Sequence, residues 1–163
     1  ATDLPVDDAS VDVVIAINVL EHVPDDAAAF REAARVLRSG GVLVAVIPHN
    51  PGLYDYYDEH LSHERRYRRR EPTSLAERAG LDVLEERYLG QYVYPPFWAV
   101  KKRNRRLGAN LTEAERAERV EADVTGTGGS RIGTVTARFE LALLRRGVGL
   151  PFGIRQMVVA RKP

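Results

Sequence analysis

From Val11 to Ile17 the chain reads Val-Asp-Val-Val-Ile-Ala-Ile, an apolar run with almost no polar alternation. A run of that kind predicts a short strand covered on both faces, as strands of parallel sheets are. The period then changes. Phe30, Ala33, Ala34 and Leu37 recur at helical spacing while Arg31, Glu32, Arg35 and Arg38 fall elsewhere, which predicts an amphipathic helix. It begins near Pro24-Asp25-Asp26, where a short acidic side chain can cap the free N–H groups. Gly40-Gly41 is expected to end it in the left-handed conformation. Val42 to Ile47 repeats the buried-strand pattern and stops at Pro48. Strand, helix and strand with short joints predict a parallel crossover unit.

Beyond a loop rich in Tyr and His (residues 49–63) comes the charge run "ERRYRRRE". Pro72 to Ala79 then reads as a short helix closed by Gly80, and Leu81 to Leu89 as a strand. Residues 111–123 read as a helix with a narrow apolar face, Val135 to Leu144 as another, and Ile154 to Ala160 as a last strand. Three stretches invite a functional reading. "TGTGGS" (125–130) is read as a flexible link, because a phosphate-cradling glycine loop follows a buried strand and opens a helix, whereas this one follows a charged helix. "KKRNRR" (101–106) reads as a solvated face. "YVYPPFWAV" (92–100), an aromatic cluster broken by two prolines, reads as a pocket wall or subdomain core, with contact to a membrane surface as a rival.

Composition narrows the choice. The 163 residues suffice for one domain. A net charge of +1 gives no global case for DNA, RNA or an anionic membrane. Arginine outnumbers lysine 21 to 3, which reads as compositional bias rather than phosphate binding. The absence of cysteine excludes a disulfide framework and a thiolate zinc site, and fits a cytoplasmic setting. No apolar run approaches the roughly 18–20 residues needed to span a bilayer.

The chemistry gathers where the strands give out. In an open parallel sheet, ligands collect at the carboxyl ends of the strands. Asn18, Glu21 and His22 stand at one such end, and Pro48-His49-Asn50 at the next.

The stretch "LPVDDASVDVVIAINVLEHVPDDAAAFREAARVLRSGGVLVAVIPHN" resembles the second half of a Rossmann-like S-adenosylmethionine-dependent methyltransferase. It is similar to the group that contains the ubiquinone-biosynthesis O-methyltransferases. "DEHLSHERRYRRREPTSLAERAGLDVLEERYLG" and "LPFGIRQMVVARKP" resemble that family's continuation and its closing antiparallel strand, while residues 91–149 match only loosely. The resemblance implies an α/β fold: the C-terminal portion of a Rossmann-like methyltransferase sheet (strands 4 to 7), with helices on both faces and a helical insert before the last strand. The expected organisation is one partial methyltransferase domain over 1–163, with a core at 1–90 and 150–163 and a substrate-recognition insert at 91–149. The family's glycine-rich loop and its ribose-holding acidic residue have no counterpart here. The chain is therefore expected to need a missing N-terminal half, and to be inactive alone.

The resemblance also implies roles. S-adenosylmethionine is the expected cofactor, with Asn18 and Val19 along its methionine end and Ala1 and Thr2 along its adenine. His22, with Glu21, is the expected catalytic base or orienting group. His49, Tyr54, His60, His63 and Trp98 are candidates for the side that receives a small-molecule acceptor, which is expected to be O-methylated. Glu21, His22 and His63 are similar to a metal site of some related RNA and ubiquinone methyltransferases. Asn18 in place of a further Glu removes a hard ligand and argues against a divalent metal. Two rivals stand beside this reading: an RNA methyltransferase using Arg65 to Arg70 and Lys101 to Arg106, and a non-catalytic half-domain that binds a partner chain.

Overall fold

The computed structural model describes residues 1–126 and 131–163. Among the described residues, four strands and six α-helices follow in the order β1 (Val11–Ile17), α1 (Asp26–Val36), β2 (Leu37–Pro48), α2 (Tyr56–His60), α3 (Glu71–Arg78), β3 (Asp82–Leu89), α4 (Tyr94–Gly108), α5 (Glu113–Gly126), α6 (Arg131–Arg145) and β4 (Arg155–Arg161). The sheet order is β1-β2-β4-β3. β1 and β2 run parallel, as the crossover pattern predicts, and β4 is antiparallel to both of its neighbours. Asp25 caps α1, its side chain accepting from Ala28 N at 2.8 Å.

Val14 pairs with Leu43 and Ala16 with Ala45, and residues paired across two strands point to one face. That face is covered by α1 and α3. Phe30, Ala33, Leu75 and Ala76 close over Leu43, Ala45, Val158 and Ala160 in one buried cluster. The opposite face of β1 is open, with Ile15 65% exposed and Val13 and Ile17 each 52%. The expectation of a strand covered on both faces is corrected accordingly. A run of Val and Ile records that both faces are apolar; β1 lies at the sheet's edge, and nothing among the described residues covers its second face.

Two further corrections concern turns and helices. α1 ends at Val36 without a glycine cap, and β2 starts at once. Gly40, at φ +79°, instead serves a slip in the sheet, where Val11 pairs with Leu37 but Val13 with Val42. A Cβ on Gly41 would meet Arg38 O at 2.9 Å and Asp12 O at 3.1 Å, so the slip also needs the second glycine. The aromatic cluster and the basic run after it form a single helix, α4. Its prolines occupy the first turn, where a missing N–H costs nothing. The Tyr- and His-rich loop holds a short helix, α2, with Asp55 and Asp58 as a capping box. Thr125 and Gly126 close α5; the rest of "TGTGGS", residues 127–130, lies outside the described residues. Among the described residues no helix is long and apolar enough to cross a membrane.

Candidate functional site

At the carboxyl end of β1 the backbone turns sharply. Asn18 takes φ +53°, its N–H donating to Val46 O at 3.0 Å, and a 3-10 turn of three residues follows, Leu20–His22. The turn sends Glu21 inward, to 1% exposure, and leaves His22 exposed. Neither carboxylate oxygen of Glu21 has a hydrogen-bond partner among the described residues. His22 Nδ1 lies 2.9 Å from Ser62 O. A backbone carbonyl only accepts, so Nδ1 carries the hydrogen and Nε2 keeps a free lone pair. His63 meets His22 edge-on, with ring centroids 4.8 Å apart, and its own Nδ1 lies 3.0 Å from Asp58 Oδ1. One ligand-capable atom from each of Glu21, His22 and His63 lies within 4.8 Å of the others.

Asp58 is the opposite of Glu21. It accepts from Arg66 Nε at 2.8 Å and from Lys101 Nζ at 3.0 Å, and Lys101 also reaches Asp55 at 2.6 Å. Burial alone would raise the Asp58 carboxyl, but the hydrogen bonds and charges of Arg66 and Lys101 outweigh it and hold the group below the usual carboxylate range. As an ionised acceptor it fixes the hydrogen of His63 on Nδ1, leaving Nε2 free. Lys101 comes from α4 and sits 5.6 Å from the Phe97 ring centroid and 5.3 Å from that of Tyr57. This ionic knot therefore ties α4 to α2 and to the segment that carries His63.

The two clusters share a cavity of about 830 Å³. Asn18, Glu21, His22, Asp58 and His63 line it with Arg66, Lys101 and Asn104, and Leu61, Phe97, Val100 and Ile154 supply apolar wall. Of the residues expected on the acceptor side, only His63 lines it. His49 is buried in the core, edge-on to Tyr88 at 4.8 Å, where burial lowers its pKa. Tyr54 stands behind the cavity, its hydroxyl donating to His63 O at 2.7 Å. His60 is exposed at the end of α2, and Trp98 is 44% exposed with Lys102 Nζ 4.5 Å above its ring. Of the residues expected along the cofactor, Asn18 opens onto the main cavity, while Ala1 and Val19 line a separate apolar cleft of about 200 Å³ with Leu4 and Phe30. Thr2 is exposed and lines neither.

Asp58 escaped sequence reasoning; Phe97 belongs to the stretch read as a pocket wall, while Arg66, Lys101 and Asn104 fall in basic runs read as a solvated face or as a rival RNA contact, with no place in this cavity. A signal for two of the elements existed: Asp55-x-x-Asp58 has the spacing of a capping box, and Phe97, Val100, Lys101 and Asn104 fall at i, i+3, i+4 and i+7.

Residues 1–45 match a family model described as a methyltransferase domain. A protein of Mycolicibacterium smegmatis, named "Probable S-adenosylmethionine-dependent methyltransferase", is 41% identical over 83 residues, which are 50% of this chain and 32% of that relative. Over these segments the chain is similar to S-adenosylmethionine-dependent methyltransferases. A second methyltransferase relative, the 27-O-demethylrifamycin SV methyltransferase of Amycolatopsis mediterranei, is 56% identical over 43 residues, 26% of this chain and 16% of that protein. The matched segments thus span a third or less of these relatives. Among solved structures, a Bacillus halodurans protein described as a methyltransferase superposes over 99% of this chain and 74% of its own length, with a TM-score of 0.56 and 19% identity. At that identity the likeness concerns the methyltransferase fold alone.

Of the residues expected along the cofactor, those at the apolar cleft could form at most one flank of its site. Ala1 and Val19 offer an apolar surface, but their cleft of about 200 Å³ is below the ~300 Å³ of a complete small-molecule site. Glu32, whose carboxylate accepts from the N–H of the lining residue Leu4, is also engaged by Arg35.

Proposed function

We propose that this chain carries the acceptor side of an S-adenosylmethionine-dependent methyltransferase that O-methylates a small molecule with an apolar body. The carrying observation is the arrangement of Glu21, His22 and His63: a buried carboxylate without a partner beside two imidazoles whose Nδ1 positions are already committed. S-adenosylmethionine supplies an activated methyl group when bound. The chain's own work is to align a hydroxyl and take its proton. His22 Nε2 is the acceptor of that proton, Ser62 O keeps the ring in the required tautomer, and the Glu21 carboxylate favours the imidazolium that forms. Phe97, Val100, Leu61 and Ile154 cover the rest of the acceptor. The relative named 27-O-demethylrifamycin SV methyltransferase, 56% identical over 43 residues, lends support to oxygen as the atom modified.

The test uses the full-length protein, methyl-labelled S-adenosylmethionine and 4-phenylphenol, a phenol with the apolar bulk the cavity suits. Label is expected on the phenolic oxygen. A protein that binds the cofactor but labels amine analogues in preference to the phenol would contradict O-methylation, and one that binds no cofactor would favour the non-catalytic reading.

A divalent cation is a second reading, favoured by one observation. A buried carboxylate with no partner is costly, and a cation held by Glu21 with Nε2 of His22 and His63 would supply the partner. His22 donates to a backbone carbonyl and His63 to a carboxylate, the supports that metal-bound histidines have. There it would act as a Lewis acid on the acceptor oxygen. Equilibrium dialysis of the full-length protein against Mn²⁺ or Zn²⁺ tests it: one ion retained by the wild type and lost in Glu21→Gln is expected, and equal retention by both is the contrary result. The RNA reading has less support, because Arg65, Arg66, Lys101 and Arg105 each bond groups within the chain. A cytoplasmic setting belongs to the proposal.

A further inference from the structure

α4 turns one stripe toward the cavity: Phe97, Val100, Lys101 and Asn104. Three of the four have evident work. Phe97 and Val100 are apolar wall, and Lys101 is held by Asp55 and Asp58. Asn104 has none. It is 5% exposed, yet its side-chain amide neither donates nor accepts a hydrogen bond among the described residues, and its polar atoms are not among those sealed off inside the protein. A buried amide brings two donors and an acceptor, and leaving them unmade costs as much as a lost hydrogen bond. A buried amide without an internal partner, on a wall whose buried charges are already paired and open to a cavity, is built to meet a polar group that arrives with a ligand.

The charges around it say what kind of group. The buried cations on this wall, Lys101 and Arg66, are matched by the carboxylates of Asp55 and Asp58. No buried cation is left over for an anion. The remaining cation of the lining, Arg155, is exposed at the rim and has no ion pair among the described residues. We infer that Asn104 sets acceptor specificity by hydrogen-bonding a neutral polar group, an amide, carbonyl or hydroxyl, at the end of the acceptor away from the methylated oxygen. The inference rests on the reading of this cavity as the acceptor site. It makes the acceptor a neutral molecule with an apolar middle and a polar group at each end.

Three probes that differ at one end separate the outcomes: 4-phenylphenol, 4′-hydroxybiphenyl-4-carboxamide and 4′-hydroxybiphenyl-4-carboxylate. Dissociation constants are measured calorimetrically on the full-length protein with S-adenosylhomocysteine present, for the wild type and for Asn104→Leu. The carboxamide is expected to bind the wild type about tenfold more tightly than 4-phenylphenol, as one or two neutral hydrogen bonds allow. In Asn104→Leu that ratio should fall to about one or below. The ratio is the decisive quantity, since a general loss of packing would weaken both probes together. A ratio unchanged in Asn104→Leu overturns the role of Asn104 but leaves the cavity reading standing. A preference for the carboxylate that disappears in Arg155→Gln moves specificity to the rim and overturns the inference as well. If no probe binds the wild-type protein, the cavity reading and the inference fall together.

Discussion

Two carboxylates, each 1% exposed, line the same cavity, and their surroundings differ as far as surroundings can. Asp58 is met by Arg66, Lys101 and His63; neither oxygen of Glu21 has a hydrogen-bond partner among the described residues. A partnered buried charge holds elements together, because removing it strands the cations around it. An unpartnered one contributes nothing to the fold that its loss would take away. The α2–α4 side of the cavity is thus finished as structure, whereas the β1 side keeps a buried carboxyl group that no hydrogen bond among the described residues meets.

Stability measurements can break this comparison. The largest effect is expected for Asp58→Asn, which leaves Arg66 and Lys101 buried with too little negative charge. Urea unfolding should show a loss of about 3–5 kcal/mol. A loss below about 1 kcal/mol, the worth of an exposed pair, would mean the knot is solvent-screened and the contrast illusory. Glu21→Gln should move stability the other way or not at all, by up to about 1 kcal/mol, as changes at functional sites often do. If Glu21→Gln destabilised as strongly as Asp58→Asn, Glu21 would have a partner in solution.

A second contrast lies within α4. Phe97 lines the cavity while Trp98, one residue on, faces solvent. Phe97→Ala should weaken 4-phenylphenol binding about tenfold, the loss of one well-covered aromatic contact. Trp98→Ala should leave it within about twofold, as surface changes do. Equal effects would put the helix in a different rotation.

The smallest effect separates the core histidine from those of the site. Burial lowers the pKa of His49. The unfolded chain takes up that proton near its ordinary pKa, about 6.5, so below that pH the unfolded state binds more protons than the folded one. Stability should therefore decline as pH falls from 7 toward 5. Urea unfolding at pH 7.0 and 5.5 checks this, and His49→Phe should flatten the slope. An unchanged slope would assign it to other groups.

What the sequence made legible follows from how local each signal is. β1, α1 and β2 are written in contiguous patterns of Val, Ile and Ala with Asp25 and Pro48 as punctuation. The first of them has the bounds read from sequence, Val11–Ile17. Glu21 and His22 were legible because topology alone puts the end of β1 at the ligand-binding edge. The insert was not. Pro95-Pro96 reads as a break until it is known to open a helix, and without the helix there is no way to see that Phe97 faces inward and Trp98 outward. Lys101 and Asn104 looked like members of a solvated basic run, since a side chain's burial is decided by partners, Asp55 and Asp58, more than forty residues away. His49 misled for a related reason: it stands at a strand's carboxyl end, but its side chain turns into the core against Tyr88.

The most direct test of the account is steady-state methyl transfer to 4-phenylphenol by full-length wild type and His22→Ala. The account predicts a fall in kcat of about 10²-fold or more, the usual worth of a positioned general base. The affinity for S-adenosylmethionine should stay within about twofold if His22 acts, as proposed, on the acceptor's proton and not on the cofactor. A kcat retained within about threefold would contradict it, and would remove the Glu21–His22–His63 cluster from the chemistry.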